Sequence, residues 1–123
     1  MIAALKNHEV EAIAHQANCF HTMKSGIAPQ IVKAWHSVRL ADLETNYGDK
    51  AKMGSASRAF TQDGLVFNIY GQYHWSRKRV DYGTSYKHLG LGLRHVRLLM
   101  DVSKAKSLGL PRIGCGLAGG DWG

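Results

Sequence analysis

Proline is scarce in this chain, with two in 123 residues, and so is cysteine, with only Cys19 and Cys115. The near-absence of proline, set against a 45% hydrophobic content, excludes a long irregular tail and fits one domain over residues 1–123 with a core of its own. Two cysteines without metal-ligand spacing exclude a disulfide framework, so both are expected as reduced thiols. No run approaches the roughly 18 to 20 apolar residues of a membrane span, and "MIAALKNHEVEAIAHQ" has too broken an apolar centre for a secretory signal. A soluble, cytoplasmic protein with no membrane partner is expected.

Acidic residues are also few, nine against sixteen Lys and Arg, giving a formal charge of +7. That surplus favours an anionic partner: nucleic acid, nucleotide or phosphorylated metabolite. The basic residues are dispersed over "KRV", "RHVR" and "KAK", which leaves both solvated helix faces and a contact patch open.

Apolar residues alternate in "EVEAIAHQAN", at Val10, Ala12 and Ala14, and predict a strand entering a loop at Asn18. In "GIAPQIVKAWHSV" the spacing of Ile27, Ile31, Trp35 and Val38 predicts one helix, with Ser25 as cap and Pro29 in the first turn. Turn residues follow at Asn46 to Asp49 and at Gly54. "SASRAFTQDGLVFNIYGQYHW" then predicts a hairpin turning at Asp63 and Gly64. From Ser85 to Lys106 the period of Leu89, Leu93, Val96, Leu99, Met100 and Val102 predicts a second long helix. Gly90 and Gly92 in that helix suggest close packing on a sheet, Gly109 is its expected end, and "LPRIGCG" is a short strand. With "MIAALKN" as an initial helix, this order predicts an α/β sheet flanked by helices, with its ligand site at the loops leaving the strands.

Two glycine-bearing loops, "NCFHTMKSGIA" and "GCGLAGGDW", each follow a predicted strand and offer backbone N–H groups to an anion such as a diphosphate. His21, in the first loop, is a candidate general acid or base, whereas His15 within the strand reads as a core histidine. The seven histidines show no short paired spacing, so no metal and no cofactor are expected. Asp121 is the one acid of the terminal loop, suited to a ribose hydroxyl, to orienting a water, or to capping a helix. Tyr70, Tyr73 and Trp75 sit with Arg77, Lys78 and Arg79, a mixture that single-stranded nucleic acid also favours, although core aromatics beside an exposed loop are the simpler reading; His74 follows the "NIYGQY" strand.

Together "AHQANCFHTMKSGIAPQI", "NIYGQYHW" and "PRIGCGLAGGDW" resemble the macrodomain family, in particular its small phage and bacterial members that process ADP-ribose-1″-phosphate. The resemblance implies a macrodomain-like three-layer sandwich, a mixed sheet of about four strands between helices, with ADP-ribose across the strand ends. It implies that Met23, Lys24, Ser25, Gly26, Ile27 and Ala28 wrap the distal ribose and a phosphate. Gly114, Cys115, Gly116, Leu117, Ala118, Gly119, Gly120 and Asp121 would hold the diphosphate from the other side, and Asn18 would lie near the distal ribose.

The departures from that pattern are specific. Relatives with this "GCGL" loop that remove ADP-ribose from protein or DNA carry a lysine where this chain has Gln72. An acid after "GCGL" in one branch is here Ala118, and Lys24 replaces a frequent glycine. The family's first strand and its closing helix and strand have no counterpart, so the sheet is expected to be truncated at one edge. The "LPRIG" strand would then form an apolar edge able to pair with a second copy, and adenine recognition would be weak or supplied by that partner. The expected activity is phosphate removal from ADP-ribose-1″-phosphate, with His21 or Asp121 orienting the water, which makes the chain a phosphatase and a hydrolase. A sequestering ADP-ribose binder is the alternative, followed by an ADP-ribosyl hydrolase or a nucleic-acid-binding protein.

Overall fold

The segment Ala12–Ala17 is buried along nearly its whole length, which only an interior strand permits. In the computed structural model, which describes residues 1–24, 26–76 and 84–110, this segment is β1. It runs parallel to β3 (Gly64–Tyr70) on one side and to β4 (Leu108–Gly109) on the other. β2 (Ala56–Thr61) pairs antiparallel with β3, giving a four-stranded mixed sheet ordered β2-β3-β1-β4. The α/β fold expected from the sequence is the one observed.

Side chains of alternating residues fill two separate cores, one on each face of the sheet. Ile13, Val66 and Ala59 face α1 (Ile2–Lys6), α2 (Ala28–Ala34) and α3 (His36–Leu43), packing with Leu5, Ile31, Trp35 and Val38. Ala12, Ala14, Leu65, Phe67 and Ile69 face α4 (Tyr86–Ser103), packing with Leu89, Val96 and Met100. This is the expected three-layer sandwich. Among the described residues no helix is long and apolar enough to cross a membrane.

Several local expectations are corrected. The single helix through Ile27 and Val38 is two, because Trp35 is extended (φ −143°, ψ 101°), ending α2 and starting α3. The break lets the buried Trp35 indole donate from Nε1 to Asp63 Oδ2 at 2.8 Å, tying the helices to the hairpin turn. The cap position of α2 is Ile27, without a side-chain hydrogen bond, rather than Ser25. Pro29 does sit in the first turn. The hairpin turns at Gln62 and Asp63, and Gly64 is already the first residue of β3, paired with Thr61. Helix α4 starts where expected, with Ser85 Oγ accepting from the His88 N–H, but Lys104, left-handed at φ 61°, ends it instead of Gly109. Gly109 is in β4. Of the two helix glycines, only Gly92 marks a close approach: a Cβ there would collide with the Ile69 side chain, whereas one at Gly90 would meet nothing within 4 Å.

Candidate functional site

The connections leaving β1 and β3 diverge, one to α2 and α3 on one face, the other to α4 on the opposite face. Adjacent parallel strands whose connections part in this way open a crevice at their C-terminal ends, the usual ligand position of an open α/β sheet. The rim consists of residues 18–24 and 26–28 after β1 and residues 71–76 after β3.

The loop after β1 is built from its own polar groups. Asn18, nearly buried, donates from Nδ2 to the Thr22 carbonyl and accepts the Phe20 N–H at Oδ1, both at 2.8 Å. Its side chain therefore shapes the loop. His21 follows at φ 57°, its carbonyl accepting from Arg39 and its Nε2 donating to the Thr45 carbonyl at 2.8 Å. Because a carbonyl only accepts, that bond places a proton on Nε2, so Nδ1 is the acceptor whenever the ring is neutral. Met23 and Ala28 are buried, with Met23 in the core beside Ile31, so at these positions the main chain is what a ligand can reach. Lys24 is exposed, Ile27 is half-buried, and Gly26 (φ 64°) has open space where a side chain would be. Ser25, Gly114, Cys115, Gly116, Leu117, Ala118, Gly119, Gly120 and Asp121 lie outside the described residues, as do Arg77, Lys78 and Arg79.

On the other rim Gln72 is fully engaged. Its Oε1 accepts from Gln16 Nε2 at 3.2 Å and its Nε2 donates to the His74 carbonyl at 2.9 Å. Gln16 Nε2 also donates to Thr84 Oγ1, where Gln72 forms an isolated bridge with Thr84. His74 is buried, with Nδ1 accepting the Ser76 N–H.

Beneath both rims runs a polar network that the sequence reading missed. Lys52 is almost buried, donating from Nζ to the Cys19 carbonyl at 3.1 Å and to Thr45 Oγ1 at 2.8 Å, with Nζ 4.7 Å over the Tyr70 ring. Thr45 Oγ1 donates in turn to the Asp42 carbonyl at 2.6 Å. The Tyr70 hydroxyl reaches Asp42 Oδ1 and Ser57 Oγ, and Asn68 joins Ser57 to His15, whose Nε2 lies 2.6 Å from Asn68 Oδ1. Burial lowers the basicity of Lys52 and of His15 and raises the Tyr70 phenol, which the Asp42 charge raises further. Burial also pushes the Cys19 thiol up to about 11, so this cysteine is a core residue and not a nucleophile. One signal for Asp42 was legible: it stands four residues after Val38 on the apolar face of α3. Lys52 sat among turn residues and gave no such signal.

No protein-family model matches the chain. In sequence it is 35% identical to an uncharacterized 17.5 kDa protein from the tk-vs intergenic region of Enterobacteria phage T4, over 93% of this chain and 74% of that protein. In structure it is similar to the macrodomain of Mycobacterium tuberculosis DarG, with a TM-score of 0.75 and 21% identity over 96% of this chain and 77% of that one. It is also similar to Thermosipho africanus DarTG, solved in complex with ADP-ribose, with a TM-score of 0.73 and 18% identity over 92% of this chain and 32% of that one.

Proposed function

We propose that this chain, whose fold is that of the macrodomains it resembles in structure, binds ADP-ribose-type ligands in its crevice and releases the terminal phosphate of ADP-ribose-1″-phosphate. The observation that carries the reading is the parting of the connections that leave β1 and β3, beside the open space at Gly26. The similar Thermosipho africanus protein holding ADP-ribose supports the ligand class. In the reaction water adds to phosphorus and the bond to the 1″ oxygen breaks, giving ADP-ribose and inorganic phosphate. With Nε2 bound to the Thr45 carbonyl, His21 has Nδ1 to receive a proton from that water, and Asp121 is the alternative base. Loop N–H groups would stabilise the phosphoryl oxygens.

Calorimetric titration with ADP-ribose, followed by phosphate release from ADP-ribose-1″-phosphate by wild type, His21→Ala and Asp121→Ala, tests the reading. Binding with release that either variant abolishes is the expected result; failure to bind ADP-ribose overturns it. A non-catalytic binder is the second reading: Gln72, an amide bonded to Gln16 and His74, supplies no nucleophilic amine and so favours a binder over a glycohydrolase without separating it from a phosphatase. Binding without release selects it. The proposal also expects a homodimer through the edge at "LPRIG", of which only Leu110 is among the described residues, and light scattering reads it directly as the mass in solution.

A further inference from the structure

Five rings pack together at the same pole of the sheet, beside the crevice, and one of them, Tyr47, also lies edge-on to His21 at 5.5 Å. Phe20 stands at their centre, edge-on to Tyr47 at 5.3 Å, to Tyr73 at 4.9 Å and to His74 at 4.8 Å between ring centroids. His74 stacks on Trp75 at 5.0 Å with 25° between the planes. The result is a row, Tyr47, Phe20, His74 and Trp75, whose two ends are open to solvent: Tyr47 is 69% exposed and Trp75 53%. Large rings left this exposed on both ends of one packed row are unusual on a surface that has nothing to bind.

The row is held rigidly. The Tyr73 hydroxyl donates to the Gly48 carbonyl at 2.8 Å, the Gly48 N–H to the Cys19 carbonyl at 2.7 Å, and the Cys19 N–H to the Tyr73 carbonyl at 3.0 Å. Three chain segments are thereby closed into one ring of hydrogen bonds. Gly48 (φ 68°) is needed there, because a Cβ would come 3.1 Å from the Phe20 ring. Rings fixed in advance lose little freedom when a flat partner stacks on them. Cations adjoin the row: Lys50 Nζ lies 4.9 Å over the Tyr73 ring and Lys24 is exposed on the neighbouring loop. The chain as a whole carries +7.

Flat apolar faces at intervals, with lysines alongside, are suited to bases that alternate with phosphates along an unpaired strand. A duplex hides its base faces and would engage only the charge. We propose that Tyr47 and Trp75 are the two stacking positions of a single-stranded nucleic-acid site on the rim of the crevice, with Lys50 and Lys24 facing the strand's phosphates. The proposal goes beyond the ADP-ribose reading and stands without it.

The test is fluorescence anisotropy of a short labelled oligothymidylate and of a labelled duplex at low and moderate salt, with wild type, Tyr47→Ala, Trp75→Ala, Trp75→Phe and the control Leu98→Ala on α4. Expected are preference for the single strand, roughly tenfold weaker binding for each ring removed, recovery in Trp75→Phe, and wild-type behaviour in Leu98→Ala. Both exposed rings can be truncated without opening the core, and thermal melting of each variant verifies this. Equal binding of duplex and single strand, unchanged binding in both alanine variants, or no binding at all overturns the proposal. Calorimetry with ADP-ribose on the wild type, with and without saturating oligothymidylate, separates the two sites: an unchanged ADP-ribose affinity is expected, and direct competition overturns a separate strand site.

Discussion

The Tyr70 phenol donates a hydrogen bond to Asp42 Oδ1 across 2.7 Å, with both residues buried, and so fastens β3 to α3 under the candidate site. Among the described residues Asp42 Oδ2 has no hydrogen-bond partner, so there this phenol is the main support of a buried carboxylate. Tyr70→Phe removes it at almost constant volume. A loss of about 1.5–3 kcal/mol is expected, as for a hydrogen bond to a charged group, read from urea denaturation. An unchanged midpoint would show that the carboxylate is supported elsewhere.

Alkali should weaken the fold through Cys19. In the unfolded chain its thiol ionises around 9.0, whereas in the folded chain burial holds the proton until about 11. Between those values the unfolded state has released more protons, so raising the pH favours unfolding. Tyr70, also raised, acts in the same sense from about 10 upward, and Lys52, lowered from 10.5, acts in the opposite sense. Cys19→Ala against wild type isolates the thiol: the fall in urea midpoint from pH 9 to 11 should be smaller in the variant.

Acid should weaken it through His15. Burial lowers its pKa below 6.5, so under mildly acidic conditions the unfolded chain takes up a proton that the folded one refuses. Stability is therefore present above 6.5 and is lost as the pH falls below it. His15→Gln, tested by urea denaturation at stepped pH, should flatten that slope; an identical slope would assign it to other groups.

The two α4 glycines should respond in opposite directions. Gly92→Ala forces a methyl group against Ile69 and should cost about 1–3 kcal/mol. Gly90→Ala enters open space on the exposed side and should add up to about 1 kcal/mol of helix stability. Thermal melting of the pair distinguishes close helix-to-sheet packing from a general intolerance of change in α4.

Asn18→Ala should loosen the loop without unfolding the protein. It removes two hydrogen bonds, to Thr22 and from Phe20, that shape the chain at the crevice. ADP-ribose affinity by calorimetry should fall on the order of tenfold, with thermal stability little changed. Equal affinity would mean that the ligand does not use this loop.

Three strands of the sheet were legible in the sequence, β1 from its alternating apolar residues, β3 from its apolar run and β2 from the hairpin turn that joins it to β3, whereas β4 at Leu108–Gly109 was not, since Gly109 was expected to end the helix. The break at Trp35 was not legible, since Ile27, Ile31, Trp35 and Val38 keep a helical period across it. What ends α2 is a tertiary bond to Asp63, 28 residues away. The helix end at Lys104 was missed for a similar reason, because a left-handed lysine has no compositional mark. At the site, the loop after β1 could be identified from its glycine and polar residues, but the Asn18 side chain turned inward to hold that loop. The supports beneath it, Thr45 and Lys52, lie 24 to 33 residues from the positions they hold, beyond any local pattern.

The position of β1 between two parallel partners also sets the order in which the protein can be made. Its buried residues find their neighbours far along the chain, His15 with Asn68 at a separation of 53 residues and the segment at Glu11 with Ser107 at 96. At ribosomal speeds of about 5–20 residues per second, β1 leaves the ribosome several seconds before β3 and longer before β4. During synthesis one of the most apolar strands of the protein therefore waits with both edges open, and its protection in that interval falls to chaperones or to non-native contacts.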